Sequence, residues 1–294
     1  MHDFIRNATY IIFFLCRNYS YIIYERKFTM TTVSVIEKWY KALSFPKEYD
    51  EEFYKALNEI EISPDTTIDT YDLNCTDGKR NLLACLYMCE AQAENCRKKG
   101  ISDDIIIDTL RDFVTWTNTW TKLKGELYLG ELIWLNRHID MKIFRLGRLQ
   151  FCMSTAEHSI AEKGLCEGDN VIEIHIPEGE PLTKEACAES FEMAKEFLAK
   201  FFPEFDYKCF LTHTWLLDST VNQFLKPGSN IIKFQEFFEE VYKNESPAIL
   251  RYTLGWDTTP ENIESKTPSN SFGQKIKDYF LSGGKFYEVL GILK

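Results

Sequence analysis

The chain has 294 residues, of which 45% are hydrophobic and 27% charged, a composition typical of a globular protein and unlike that of a disordered or fibrous one. Its net charge of -11 argues against a nucleic-acid-binding protein, because phosphate contacts need clustered Lys and Arg. The nine cysteines do not form the disulfide framework of a small secreted domain. We therefore expect reduced thiols in a cytoplasmic protein.

Residues 1–29 differ from the rest, with four basic residues against two acidic ones. Their apolar run at 8–16 is shorter than the roughly 20 residues that a transmembrane helix needs, and no cleavage site of a signal peptide follows. Three interpretations stay open: an over-extended start with translation beginning at Met30, a poorly structured extension, or a membrane-associated segment. We expect this extension to pack little against the rest.

Residues 30–140 are predicted to form a helical domain, because apolar residues recur there at helical spacing. The predicted helices span about 33–43, 49–60, 81–99, 103–124 and 125–138. The third of them carries Cys85, Cys89 and Cys96 without a neighbouring His. A zinc site needs four converging ligands, so we expect buried thiols.

Residues 141–294 are predicted to form a mixed sheet with flanking helices, so the fold class is α+β. Alternation of apolar and polar residues indicates strands at 141–151, 171–177 and 209–217, and helical spacing indicates helices at 184–202, 234–242 and 271–281. Weaker strand patterns occur at 248–256 and 285–292. The strand–helix–strand order from 171 to 217 implies a parallel pair.

Glu173 and His175 share one face of the strand at 171–177, whose other face is entirely isoleucine. Such a pair suits proton transfer, because His titrates near neutral pH and a carboxylate can orient it. The alternative is a solvent-exposed face or an internal hydrogen bond without a catalytic role. His213 and Trp215 share a face of the next predicted strand, so parallel neighbours would bring His175 and His213 to one cleft.

The turn at 177–183 leads directly into a helix, for which Thr183 is a candidate N-cap. A helix N-terminus can accept an anion, because free N–H groups and the helix dipole point there. Lys184 favours a phosphate at this turn, whereas Glu178 and Glu180 oppose one. A second turn, at 227–230, also precedes a helix.

Several of these segments resemble a bacterial family of predicted acyltransferases that pair an N-acyltransferase N-terminal domain, which is helical, with a GNAT-like C-terminal domain. The resemblance covers about residues 33–294 and leaves the extension outside. The segments that carry it are VIEIHIP followed by EGEPLTKEAC, CFLTHTWLL, KPGSNIIKFQEFF, LGRLQF at 146–151 and FPKEYDEEFYKAL at 45–57.

The resemblance implies a site that binds acyl-CoA, with acetyl-CoA as the first expectation. VIEIHIP would receive the thioester. Glu173 or His175 would be the base, and the turn with Gly179, Leu182, Thr183 and Lys184 would hold the pyrophosphate of the cofactor. From the strand faces and the second turn we further predict a catalytic role for His213 and substrate binding by Trp215, Ser229 and Asn230. Two features depart from the GNAT pattern: PEGEPLT replaces the usual glycine-rich turn, and the first tyrosine after CFLTHTWLL is Tyr242.

The function that this pattern favours is acyl-CoA-dependent N-acylation of a small amine. A second hypothesis is a non-catalytic small-molecule-binding module on the same fold, which the acidic turn favours. A third is a hydrolase that holds a metal between His175 and His213, although no third ligand is evident. Under the first hypothesis we expect no metal, no nucleic acid and no membrane partner.

Overall fold

The computed structural model describes residues 31–66 and 77–294. The predictions for the extension at 1–29 and for a start at Met30 lie outside the described residues. In the part of the chain that is described, no helix combines the length and hydrophobicity that a membrane crossing requires.

The N-terminal part is helical, as the periodicity predicts. Its helices are α1 (Thr32–Ala42), α2 (Asp50–Glu59), α3 (Gly78–Lys99), α4 (Asp103–Leu110), α5 (Asp112–Lys124) and α6 (Leu132–Ile139). The carboxylate of Asp77 caps α3 by accepting from the backbone N–H groups of Lys79 and Arg80, and Gly100 ends the helix in the left-handed conformation. The three cysteines of α3 are buried, as expected.

Two helix predictions need correction. The predicted helix at 103–124 is two helices that meet at Arg111, where the backbone turns between α4 and α5. The predicted helix at 125–138 begins only at Leu132. The preceding segment is held by tertiary contacts that local periodicity does not report, for example the hydrogen bond from Leu127 N to Glu52 Oε2 (3.1 Å).

The C-terminal part is built on one mixed sheet. Its strands are β1 (Ile143–Leu146), β2 (Leu149–Thr155), β3 (Asn170–His175), β4 (Phe210–Thr214), β5 (Phe238–Glu245) and β6 (Tyr287–Leu293), and its helices are α7 (Lys184–Phe201), α8 (Asn230–Gln235), α9 (Ala248–Leu254) and α10 (Ser271–Leu281). The strand order is β1-β2-β3-β4-β6-β5. Only β3 and β4 pair in parallel among the described strands. The α+β class, with helices first and a mixed sheet second, is confirmed.

Four details of the sheet differ from the sequence prediction. The strand predicted at 141–151 is a hairpin, turned at Gly147, whose φ of 69° favours glycine. The strand predicted at 209–217 ends at Thr214 and is followed by a short 3₁₀ turn. The helix predicted at 234–242 stops at Gln235, and β5 starts at Phe238, because this segment pairs with β6. The segment at 248–256, with its strand-like pattern, instead holds α9, whose Ile249 and Leu250 are buried in a core with α10.

The two faces of the sheet have different environments. Ile172 and Ile174 of β3 belong to the main core, which includes α7 and the N-terminal helices. Val171, on the other face of the same strand, belongs to a smaller core with Leu211 and Leu290. The loop between β2 and β3 contributes Ile160 and Leu165 to that smaller core. This loop therefore covers part of the second face and leaves a cavity beside it.

Candidate active site

A cavity of about 310 Å³ lies on this second face of the sheet. It brings together Glu173, His175 and His213, the three predicted catalytic residues. One end of the lining is apolar and includes Val171 and Leu211 from the parallel strands. The remaining lining residues are Trp134, Arg137, Thr155, Ala156, Glu157, His158, Ile160, Leu165, Ile174, Tyr242 and Leu290. The chemical roles of the three predicted residues stay predictions.

The Glu173 carboxylate is held by three neighbours. Arg137 Nη1 donates to Oε2 at 3.0 Å, Ser154 Oγ donates to Oε1 at 2.8 Å, and His175 Nε2 lies 3.3 Å from Oε2. Burial alone would raise the pKa of Glu173, but the hydrogen bonds from His175 and Ser154 and the charge of Arg137 lower it to about 2. This carboxylate is therefore ionised and weakly basic at neutral pH, which suits it to orienting His175.

His175 is held between a carboxylate and an indole. Because the ionised Glu173 carboxylate can only accept, we assign Nε2 of His175 as the donor and Nδ1 as the acceptor nitrogen. The ring of Trp134 packs against the imidazole, with centroids 4.6 Å apart and planes at 63°. The His175 side chain is 31% exposed, so solvent and a substrate can reach it.

Trp134 is fixed in turn by a buried carboxylate. Its Nε1 donates to Asp112 Oδ2 at 2.6 Å, and His138 Nε2 lies 3.3 Å from the same oxygen. Burial opposes ionisation of Asp112, but the His138, Trp134 and Trp116 side chains outweigh it and lower its pKa. The ionised Asp112 thus anchors the wall of the site against which His175 packs.

His213, Leu290 and Tyr242 form one row across β4, β6 and β5. The rings of His213 and Tyr242 have centroids 5.9 Å apart, and His213 Nε2 lies 3.0 Å from Asn244 Oδ1. A β-bulge between Glu240 and Tyr242 shifts the register of β5. Because one extra residue reverses the alternation of side chains, the bulge places Tyr242 in the cavity lining and Asn244 beside His213. Burial, with a smaller effect of Glu157, raises the pKa of Tyr242, so its hydroxyl is protonated at neutral pH.

β3 and β4 pair through Ile172 with Phe210 and Glu173 with Leu211, in the middle of β3 and at the beginning of β4. Beyond that point the buried hydroxyl of Thr212 donates to the Ile174 carbonyl at 2.8 Å. The Ile174 carbonyl, which lies beyond the last backbone pairing of β3 with β4, is thus bonded by the Thr212 side chain. The two strands therefore separate toward their carboxyl ends, beside His175 and His213.

The buried side chain of Arg148 stabilises the turn at 177–183. This side chain, only 7% exposed, donates through Nε to the Glu180 carbonyl (2.7 Å) and through Nη1 to the Pro177 carbonyl (2.9 Å). Burial lowers the pKa of Arg148. Its charge therefore lies directly under the turn, close to the exposed Glu180. The Arg148 charge therefore offsets part of the negative charge that Glu178 and Glu180 bring to the turn.

The predicted cofactor-binding residues lie together at this turn, in different environments. Thr183 is the N-cap of α7 and accepts from Ala186 N at 3.2 Å. Leu182 is buried in the main core, whereas Gly179 has open space around it. Lys184 Nζ is 2.7 Å from Glu236 Oε2 and so is already paired. Its predicted contribution to phosphate binding is weakened by that pairing.

The predicted substrate-binding residues do not line the cavity. Trp215 lies in the 3₁₀ turn after β4 and contacts Tyr252 instead, with ring centroids 6.0 Å apart. Ser229 is the N-cap of α8 and its buried Oγ has no hydrogen-bond partner among the described residues. Asn230 is the first residue of α8.

Four residues of the site were missed from the sequence: Trp134, Arg137, Tyr242 and Arg148. Trp134 and Arg137 lie on one face of a helix three residues apart, a spacing that predicts only a shared face. Tyr242 enters the site because 238–245 is a strand and not part of the helix predicted at 234–242. Arg148 carried no signal, since the hairpin that buries it was not predicted.

Cys152, Glu173 and His175 are the one cluster of potential metal ligands within the described ranges, with ligand atoms within 4.8 Å of one another. The Arg137 guanidinium is 3.0 Å from Glu173 Oε2 and 4.0 Å from Cys152 Sγ. Burial raises the pKa of the Cys152 thiol to about 11, which disfavours the thiolate that a metal needs. The cluster is therefore better suited to an internal ion pair than to a bound cation.

Comparison with known families agrees with this architecture. A family model described as the GNAT-like C-terminal domain matches residues 143–293, more than half of the chain, and one described as the N-acyltransferase N-terminal domain matches residues 36–141. The chain belongs to the family of proteins with a GNAT-like C-terminal domain. No curated protein sequence matches it.

Solved acyltransferase structures share this fold. One, in complex with decanoyl-CoA and teicoplanin, aligns with a TM-score of 0.72 and 19% identity over 88% of this chain and 87% of its own. A second, in complex with CoA and 10C-teicoplanin, gives 0.71 and 19% over the same shares. A third, in complex with decanoyl-CoA, gives 0.67 and 18% over 87% and 86%. At this level of identity the similarity establishes the fold.

Proposed function

We propose that the protein is an acyl-CoA-dependent N-acyltransferase that acts on a small amine. The observation that carries the proposal is the position of His175, which is oriented by an ionised carboxylate and open to a cavity where the two parallel strands separate. A base oriented in this way suits the deprotonation of an amine during its attack on a thioester. The related structures with acyl-CoA bound support the same class of reaction.

The acyl-CoA would bind along β3 and at the turn that follows it. Separation of β3 and β4 leaves the carboxyl end of β3 free of a backbone ladder to β4, where a thioester and its pantetheine arm can bind. The turn at 177–183 opens into α7, whose N-terminal N–H groups suit a pyrophosphate. Arg148 adds a positive charge beneath that turn.

In the proposed reaction the amine nitrogen attacks the thioester carbonyl, so a C–N bond forms and the C–S bond breaks. His175 Nδ1 accepts the proton from the amine nitrogen, and Glu173 stabilises the resulting imidazolium. The thiolate of CoA leaves and takes a proton from the Tyr242 hydroxyl, which is protonated at neutral pH. Solvent then returns the proton from His175 to Tyr242, and the products are an amide and free CoA.

The two parts of the chain would divide this work, with the helical domain at 30–140 completing a site whose base lies on the domain at 141–294. Trp134 and Arg137 reach the site from α6 and contact His175 and Glu173.

The cysteines of the described residues are all free, which supports a reducing, cytoplasmic location.

A non-catalytic binding module is the second candidate. Glu178 and Glu180 are exposed at the turn, and Lys184 is paired with Glu236 rather than free for a phosphate. These contacts favour a protein that keeps the fold without binding CoA.

Calorimetric titration of the protein with acetyl-CoA and decanoyl-CoA separates the two candidates. The transferase predicts saturable binding of at least one acyl-CoA, followed by release of free CoA that depends on an added amine. Absence of binding by both acyl-CoAs would favour the binding module. Binding without amine-dependent CoA release would contradict the proposed reaction.

A further inference from the structure

Four aromatic side chains lie together beside the candidate active site, outside the lining of its cavity, and we call them the aromatic platform: Trp116, Trp215, Tyr252 and Trp256. Trp116 and Trp256 have centroids 4.8 Å apart with planes at 70°, and Tyr252 and Trp256 have centroids 5.5 Å apart with planes at 84°. Trp215 adjoins Tyr252 at 6.0 Å. The platform thus joins α5 of the helical part to α9 and the end of β4.

Two residues of the platform, Trp116 and Trp215, connect it to the candidate active site. On α5, Trp116 lies one turn after Asp112 and interacts with the carboxylate that anchors Trp134, the indole packed on His175. Directly after β4, Trp215 follows His213 by two residues. The platform therefore lies next to the end of β4 and to the buried carboxylate that anchors the Trp134 wall of the site.

Tyr252 is the exposed member of the platform, whereas Trp116, Trp215 and Trp256 are half-buried. The side chain of Tyr252 is 61% exposed, more than any other aromatic side chain in the described ranges. Arg251 lies over the Trp256 ring at 5.9 Å, so the ring of Tyr252 is the more open surface. Glu131, which accepts from Trp256 Nε1 at 3.2 Å, has a φ of 56°, a conformation that is strained for a residue other than glycine. Such strain persists where surrounding contacts impose it, often at functional sites.

We propose that the aromatic platform binds the acceptor of the reaction, and that this acceptor is a primary amine carrying an aromatic ring. The inference rests on the proposed function, because it assigns the acceptor side of the same site. Aromatic rings associate edge-to-face or offset-stacked at centroid distances of about 4.5–7 Å, the range found within the platform. A fifth ring on Tyr252 would extend this arrangement. The carboxylate of Glu131 and the faces of the rings attract an approaching amine in its ammonium form, which releases one proton to solvent before the neutral nitrogen attacks the thioester.

Direct binding tests the platform independently of catalysis. Saturation-transfer NMR with tryptamine, without any acyl-CoA, should show transfer to the indole protons for the wild type and for Tyr252→Phe, which keeps the ring. Tyr252→Ala should weaken the affinity for tryptamine about threefold to tenfold, the loss of one aromatic contact. Leu281→Ala, at another exposed apolar side chain, is the control and should bind tryptamine as the wild type does. Equal affinity of Tyr252→Ala and wild type would overturn the proposal.

Kinetics separate failure of the platform from failure of the transferase. With saturating decanoyl-CoA, KM for tryptamine should lie well below KM for hexylamine, and Tyr252→Ala should raise KM for tryptamine alone while kcat changes little. Equal KM values for the two amines would overturn the platform and leave the transferase intact. If no amine releases CoA, the proposed function fails, while the NMR titration still decides whether the platform binds an aromatic amine.

Discussion

Arg137 of α6 reaches across to β3 and donates to the Glu173 carboxylate at 3.0 Å. The guanidinium also lies over the Trp134 ring, at 5.4 Å from its centroid. One side chain of the helical part is thus bonded to the acid that orients His175 and packed on the indole that contacts it. Arg137 thus links the helical part of the chain to the sheet at the candidate site.

Arg137→Gln should lower kcat about tenfold with little change in KM for acyl-CoA, because it removes a positive charge that keeps Glu173 ionised and in place. Initial rates of CoA release at saturating acyl-CoA measure this effect. Arg111→Gln removes a guanidinium of the same helical part that pairs with Asp108 instead, and should leave the rate unchanged. Equal rates for Arg137→Gln and wild type would show that the ion pair is structural only.

Glu173→Gln should destabilise the protein near neutral pH and matter less in acid. The pKa of Glu173 is lowered to about 2 from an ordinary value near 4.5, so its ionised form stabilises the fold above about pH 4.5 and that contribution is lost as the pH falls toward 2. The difference in free energy of unfolding from wild type should reach about 3 kcal/mol at pH 7 and shrink at pH 3. Urea denaturation at both pH values measures it, with the exposed Glu189→Gln as the control. A difference that is the same at both pH values would contradict the assignment.

Tyr242→Phe should lower kcat about a hundredfold, at the lower end of the range for general acids, because the thiolate loses its proton donor. The ring stays in place beside His213, so the fold and the binding of acyl-CoA should be unaffected. Tyr207→Phe, at a half-buried tyrosine packed on Phe210, provides the control. A kcat equal to that of wild type would assign the leaving-group proton to solvent.

Arg148→Met should loosen the turn at 177–183. Loss of the guanidinium leaves the carbonyls of Pro177 and Glu180 without its hydrogen bonds and removes the positive charge, so we expect about 1–3 kcal/mol less free energy of unfolding. The dissociation constant for acyl-CoA should rise about tenfold, equivalent to 1.4 kcal/mol. Arg145→Met, on the same hairpin, should change the affinity little. If both variants bind acyl-CoA like the wild type, the turn does not hold the cofactor.

The position of His175 beside Glu173 could be predicted because a strand alternates strictly between two faces. Once 171–177 was assigned as a strand, its polar and isoleucine faces followed, and the parallel pairing with β4 brought His213 to the same cavity. Alternation does not predict where a strand ends. Trp215 would share the face of His213 only if β4 continued, and the chain instead enters a 3₁₀ turn after Thr214.

The rest of the site depends on contacts between distant parts of the sequence. Arg137 precedes Glu173 by 36 residues and meets it only because α6 packs beside the sheet. The edge strand β5 contains FEEVYKNE, whose charges suit an exposed helix as well as an edge strand, so the segment resembles a continuation of α8. Its pairing with β6 decides in favour of the strand, and the bulge that aims Tyr242 is a feature of that pairing.

His175 is the proposed base of an acyl transfer to an amine. The most direct test compares amine-dependent CoA release by wild type and His175→Ala at saturating decanoyl-CoA, with the affinity for decanoyl-CoA measured by calorimetry on both. We predict a fall in kcat of about a hundredfold to ten-thousandfold, an unchanged dissociation constant, and a smaller fall for His213→Ala. A His175→Ala protein that binds decanoyl-CoA and releases CoA at the wild-type rate would contradict the account.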